Sequence, residues 1–164
     1  YAHKPAAVAA LLDAVRPHIP GRLIVVLGCG SERDRGKRPL MGLEAARRAD
    51  LLIITDDNPR TEDPVAIRAA MLAGARQGAR GEVLEIGDRA AAIARAVRQA
   101  RPGDAVVVAG KGHETGQDVH GVTYPFSDVE VLAGLLEPEP TQPEPTQPAS
   151  RQPGPIPWSP WSGR

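Results

Sequence analysis

The sequence predicts an α/β fold with an open, mostly parallel sheet, and three observations carry that reading. Strand-like and helix-like segments alternate with short connections over the first 136 residues. Two of the strand-like runs, "RLIVVLG" (Arg22 to Gly28) and "DAVVVAG" (Asp104 to Gly110), are apolar and rich in β-branched residues, as strands covered on both faces are. From Glu137 onward the composition changes: nine of the 17 prolines fall there, around a tandem "EPTQP". The expectation is a Rossmann-like domain over residues 1–136, with helices on both faces of its sheet and an antiparallel hairpin at one edge. A disordered, partly polyproline-II, Pro-rich tail is expected over 137–164.

The first helix is predicted over Pro5 to Ile19, where Pro stands at the start and apolar residues recur at helical spacing. The strand from Arg22 follows. "PLMGLEAARRA" (Pro39 to Ala49) reads as a helix and "DLLIIT" (Asp50 to Thr55) as the second strand. Asp63 to Gly78 forms a helix with Pro in its first turn, and "EVLEI" (Glu82 to Ile86) a short strand. Asp88 caps a helix reaching Ala100, which leads to the strand from Asp104. The hairpin-like region is "HGVTYPF" (His120 to Phe126), and Ser127 caps a last helix ending at Leu136.

Aromatic residues make up only 3% of the chain, so Ala, Val, Leu and Ile must build the core. Basic and acidic residues balance at 20 each, and the basic excess expected of a nucleic-acid partner is absent. Cys29 is the single cysteine, which excludes an intrachain disulfide and fits a reducing cytoplasm. No signal peptide is visible, and the apolar runs are far shorter than a membrane span. A cytoplasmic monomer is expected. The opening "YAHKP", without an initiator Met, reads as cut from something longer.

In a parallel α/β sheet, ligands bind where loops leave the C-terminal ends of the strands. Three such loops are unusually polar: "GCGSERDRGKRP" (Gly28 to Pro39), "TDDNPRTEDP" (Thr55 to Pro64) and "GKGHETGQD" (Gly110 to Asp118). The first fails as a phosphate loop. Ser31 stands where a Walker motif needs its first Gly, and Arg38 where it needs Ser or Thr. A dinucleotide fingerprint fails at Arg33. Together the loops bring both charge signs to one rim: Arg33, Asp34, Lys37, Arg38, Asp57, Asn58, Arg60, Lys111, His113 and Glu114. Arg offers a fork for a carboxylate while Asp and Glu accept from an ammonium, which suits a zwitterion such as an amino acid. The bland alternative is that Arg60 and Asp57 cap a loop or pair with each other. "HETGQDVH" lacks the spacing of a helical metal motif, so no metal site is expected, and Cys29 reads as a small buried residue.

"YAHKP", "GCGSERDRGKRPLMG", "TDDNPRTEDP" and "AGKGHE" together resemble, in order and spacing, the C-terminal domain of the Mur ligases, in the branch that adds diaminopimelate. The resemblance runs from Tyr1 to about Leu136 and leaves the tail uncovered. It implies part of an ATP-dependent amide ligase of peptidoglycan synthesis. In such enzymes a UDP-MurNAc-dipeptide is activated as an acyl phosphate, and the amine of the incoming amino acid attacks it. ATP and Mg2+ are held mainly by a central domain and the UDP-sugar by an N-terminal one; this chain has neither, so it is expected to be inactive alone and to bind no cofactor by itself.

The resemblance implies no catalytic residue here, but a substrate set for meso-diaminopimelate. Arg60 would clamp the carboxylate at the far end of the substrate, a group that lysine lacks. Asp57, Asn58 and Glu114 would receive the neighbouring ammonium, with a backbone contact at Gly110, and Arg33 would hold the carboxylate nearest the attacking amine. Pro59 would set the directions of Asn58 and Arg60. His3, Lys37 and Arg38 would approach the nucleotide on closure. Two other readings stay open: a Mur-type domain for another amino acid such as L-lysine, and a stand-alone module that docks through its tail.

Overall fold

A computed structural model describes residues 2–31 and 34–137 of the chain. The expected Pro-rich tail, apart from Glu137, lies outside the described residues, as does Arg33. Helix α1 (Pro5–Val15) begins on its proline and gives way at Pro17 to a single 3-10 turn, Arg16–His18. The prolyl ring cannot continue an α-helix, so the helix stops short of the expected Ile19. Strand β1 (Leu23–Cys29) and helix α2 (Lys37–Ala46) follow, then β2 (Leu51–Asp56), α3 (Pro64–Gly78) and β3 (Glu82–Glu85). Helix α4 (Arg89–Gln99) leads to β4 (Ala105–Ala109), and α5 (Asp128–Leu136) closes the domain. Asp63, Asp88 and Ser127 cap α3, α4 and α5, accepting from Val65 N, Ala91 N and Glu130 N.

The four strands form one parallel sheet in the order β3-β2-β1-β4. One face, carrying Leu23, Val25, Leu27, Leu52 and Ile54, packs on α1, α2 and α3. The other, carrying Ile24, Val26, Leu51 and Ile53, packs on α4 and α5. Every residue of β1 is buried, which is why its sequence shows no polar alternation. Helices α2 and α3 touch backbone to backbone: a Cβ on Gly42 would lie 2.0 Å from Met71 O. The chain winds outward from β1 to β3 and returns through α4 to the opposite side of β1. The switch point therefore lies between the C-terminal ends of β1 and β4, where such sheets bind ligands.

The hairpin differs from expectation. It comprises β5 (Gly116–Val119) and β6 (Val122–Pro125), joined by His120 and Gly121 with φ of 51° and 76°. It forms its own two-stranded sheet rather than an edge of the main one, and a bridge from Arg60 to Val119 ties it to the loop after β2. Gly116, Gln117 and Asp118 lack a strand-like pattern, because hydrogen bonds to that distant loop shape the strand.

Candidate functional site

Three loops converge on a small crevice at the switch point. Of the residues expected there, His3, Lys37, Asp57, Asn58, Arg60, Gly110 and Glu114 line it. Arg38 does not, and Arg33 lies outside the described residues. The sequence thus brought the second and third polar loops together correctly, across more than 50 residues of chain.

The loop after β2 supplies most of the polar groups. Asp57 is buried, and that burial pushes its carboxyl above the usual range, against the pull of Arg89 and Lys111; Glu114 adds to the rise. Asn58 donates from Nδ2 to Glu114 Oε2 at 2.8 Å and accepts at Oδ1 from Lys111 Nζ and Asp118 N, both at 3.0 Å. Arg60 holds φ of 50°, a left-handed backbone costing of order 1–3 kcal/mol in a non-glycine residue. The hairpin holds it there: Arg60 N donates to Asp118 O at 2.9 Å and His120 N to Arg60 O at 2.6 Å. Its side chain, 47% exposed, donates from Nη1 to Ser31 O at 2.6 Å and passes 3.9 Å from Asp118 Oδ2. Arg60 and Asp57 do not pair with each other.

After β4, Gly110 and Gly112 take φ of 109° and 63°, and this reversal turns Lys111 into the protein. A Cβ on Gly110 would stand 2.8 Å from Asp57 Oδ2, so only glycine lets the two loops approach this closely. Lys111 is 0% exposed, with Nζ 3.5 Å from both Asp57 Oδ1 and Glu114 Oε2.

After β1, Ser31 N donates to Asn58 O at 2.7 Å and Ser31 Oγ to Glu62 Oε1 at 2.9 Å. Arg38 is buried and grips Glu62 with both terminal nitrogens, at 3.2 and 2.9 Å. The Arg38 hydrogen bond, then that from Ser31, holds the Glu62 carboxyl below its usual range. Arg38 therefore braces the loop from beneath the crevice.

The sequence points to no role for Arg89, Glu62, Gln117 or Asp118, and shows Lys111 as one polar residue among ten. Arg89 is the main brace of the rim. Its Nε and Nη2 donate to Asp128 Oδ1 and Oδ2 at 2.7 and 2.8 Å, and further bonds reach Ala109 O and Asp56 O at the ends of β4 and β2. Only the Gly-Lys-Gly order carried a local hint, since flanking glycines permit an inward-turned side chain. The other contacts span 20 to 60 residues and leave no local pattern.

The crevice offers anionic acceptors from Asp57 and Glu114 beside a half-exposed guanidinium, an arrangement suited to a ligand carrying both charges. Among the described residues no group of three or more His, Cys, Asp or Glu is placed to hold a metal ion. None of the described helices is long and apolar enough to cross a membrane.

Comparison with known proteins places the chain in a family. The chain is 62% identical over 143 residues to the UDP-N-acetylmuramoyl-L-alanyl-D-glutamate–2,6-diaminopimelate ligase of Corynebacterium glutamicum, covering 84% of this chain and 28% of that protein. It is 59% identical over 136 residues to the ligase of the same name from Bradyrhizobium diazoefficiens, covering 83% and 27%. A solved structure of a ligase of this name superposes with a TM-score of 0.73 at 43% identity, covering 82% of this chain and 28% of that one. The chain thus spans about a quarter of the length of these relatives. The family model for the glutamate ligase domain of Mur ligases matches residues 1–112. With that match over most of its length, the chain belongs to the Mur ligase family.

Proposed function

We propose that this chain is the amino-acid-binding domain of a ligase that adds meso-diaminopimelate to a UDP-MurNAc-dipeptide in peptidoglycan synthesis. The observation that carries the reading is the loop Asp57-Asn58-Pro59-Arg60, which sets a half-exposed guanidinium beside two carboxylates at the switch point. Arg60 takes the carboxylate at the far end of the substrate. Asp57 and Glu114 take the neighbouring ammonium, held in place by Asn58, and Gly110 brings its backbone against them. Arg33 takes the carboxylate nearest the attacking amine. A site that pairs a charged group rejects an analogue lacking it, because its own charge is then left without a partner. L-Lysine lacks the far carboxylate and is the analogue rejected.

Orientation is the contribution of this domain: holding the amine near its target removes an entropic barrier that free collision would face. ATP and Mg2+ supply activation of the acceptor carboxylate. The sequence has no Gly-Lys-Ser/Thr loop, and holding both is assigned to other domains of a full-length ligase. His3 and Lys37 lie where a nucleotide would approach on closure. Residues 1–136 are the working domain and 137–164 a tail without a part in binding. The protein is assigned to the cytoplasm as a monomer, with no nucleic-acid or membrane partner.

The test follows backbone amide resonances of the chain during titration with meso-diaminopimelate and with L-lysine, beside Arg60→Ala. Shifts at Asn58, Arg60 and Glu114 for diaminopimelate alone, lost in the variant, are expected. Equal response to both ligands would instead favour a domain for another amino acid.

A further inference from the structure

Lys111 lies behind the lining of the crevice and has no part in the roles above. Lys111 is fully buried, and a buried ammonium is costly unless paired and hydrogen-bonded. The reversed backbone of Gly110 and Gly112 directs it inward, so its burial is built into the turn. Its Nζ meets Asn58 Oδ1 at 3.0 Å and stands 3.5 Å from Asp57 Oδ1 and Glu114 Oε2. Those are the three side chains of the proposed ammonium pocket.

We infer that Lys111 is a positioning and specificity residue of the amino-acid site: its ammonium fixes Asp57, Asn58 and Glu114 around one point and balances one of their two carboxylates. The inference rests on the amino-acid-binding reading above. The fixing follows from hydrogen-bond polarity. With Oδ1 of Asn58 turned to Lys111 and to Asp118 N, Nδ2 must face Glu114, which it meets at 2.8 Å. The balance follows from a count of charge. Asp57 and Glu114 bring two negative charges, and Lys111 sets one positive charge 3.5 Å from both. Those three groups together carry one net negative charge, the sign that suits a ligand ammonium, while Arg60 meets a carboxylate.

Lys111 therefore bears on selectivity as well as affinity. The far end of diaminopimelate is zwitterionic, whereas the far end of L-lysine is a bare ammonium. Without Lys111 the pocket is more negative by one charge, which favours the bare ammonium over the zwitterion. A purely structural lysine would weaken both ligands alike.

The test titrates the 164-residue chain with meso-diaminopimelate and L-lysine by calorimetry, as wild type, Lys111→Met and Arg60→Ala. It also follows the side-chain resonances of the three lysines, Lys4, Lys37 and Lys111, in the wild type. Lys111→Met is expected to weaken diaminopimelate about thirtyfold or more and to cut the preference over L-lysine about tenfold. The Lys111 resonances are expected to shift with diaminopimelate. Retained affinity and preference in Lys111→Met, or equal weakening of both ligands, would overturn the inference. Should Lys111→Met fail to fold, the wild-type resonances decide: a silent Lys111 while the Asn58 and Arg60 amides shift overturns it. If the wild type does not bind diaminopimelate, or Arg60→Ala binds it equally well, the parent reading fails instead.

Discussion

Replacing Arg89 with Met should destabilise the domain more than an ordinary core substitution would. The guanidinium is fully buried and makes a two-point bond to Asp128 at 2.7 and 2.8 Å, with further bonds to Ala109 O at 3.1 Å and Asp56 O at 3.3 Å. Met fills the space of the stem but leaves a carboxylate that is 7% exposed, and two carbonyls, without their donor. Breaking a buried pair from one side costs about 3–5 kcal/mol. For a domain of this size that is a fall in Tm of about 10–20 °C. Urea unfolding followed by far-ultraviolet circular dichroism measures it, with the m-value expected to stay constant. Arg89→Met combined with Asp128→Leu should recover most of the loss, since a well-packed apolar replacement of a buried pair is often neutral. A single variant that loses under about 1 kcal/mol, or a double variant no better than the single, would refute the reasoning. The effect should reach the crevice too. Arg89 is the strongest of the charges that counter the burial of Asp57, so its removal should push that carboxyl further up and weaken ammonium binding.

Three other perturbations separate support from recognition. Arg60→Gly relieves a left-handed backbone while deleting the guanidinium, so stability should stay within about 1 kcal/mol of wild type as diaminopimelate binding is lost in calorimetry. Gly110→Ala places a methyl 2.8 Å from Asp57 Oδ2 at φ of 109° and should cost about 1–3 kcal/mol in urea unfolding, with weaker binding. Glu62→Gln should lower Tm at pH 7 and cease to matter in acid. The folded-state pKa of Glu62 lies below its usual 4.5, so its contribution is present above that value and lost as pH falls through the lowered one. Melting curves of both proteins from pH 7 down through the acid range check this: a difference that does not shrink as pH falls would contradict an electrostatic origin.

The sheet was legible because its signal is local. Apolar runs such as Leu23 to Leu27, and caps such as Asp63 and Ser127, act on their own neighbours, and parallel winding follows from their alternation. The convergence of the second and third loops was legible for the same reason, since topology alone brings the ends of β2 and β4 to one rim. What escaped was every residue whose role is set by a distant partner. Asp118 and Gln117 look like loop residues until the loop after β2 is placed against them, and Arg89 looks like the exposed first turn of a helix. Helix α2 starts two residues earlier than expected and ends three earlier, the expected start having been Pro39. A proline within the first turn removes no helical hydrogen bond, so the helix begins at Lys37.

The hydrogen-bond inventory also narrows how the crevice can meet an ammonium. The carbonyl oxygen of Asn58 has two lone pairs, and Lys111 Nζ and Asp118 N already occupy them. One hydrogen of its amide is spent on Glu114. Asn58 can therefore accept from a ligand only by giving up a bond inside the protein. The carboxylates of Asp57 and Glu114 each have more acceptor positions than the Asn58 carbonyl, so they suit an ammonium better. On the proposed reading, recognition divides by residue: the two carboxylates and Arg60 would face the ligand, while Asn58, Lys111 and the β5–β6 hairpin hold them still. Because that support is complete before any ligand arrives, the ordering cost of binding is small and discrimination rests on charge placed in advance. Asn58→Asp tests this division. It keeps the size and adds a third carboxylate, so it should favour L-lysine over diaminopimelate relative to wild type. An Asn58→Asp chain that gains affinity for diaminopimelate would instead place Asn58 itself in contact with the ammonium.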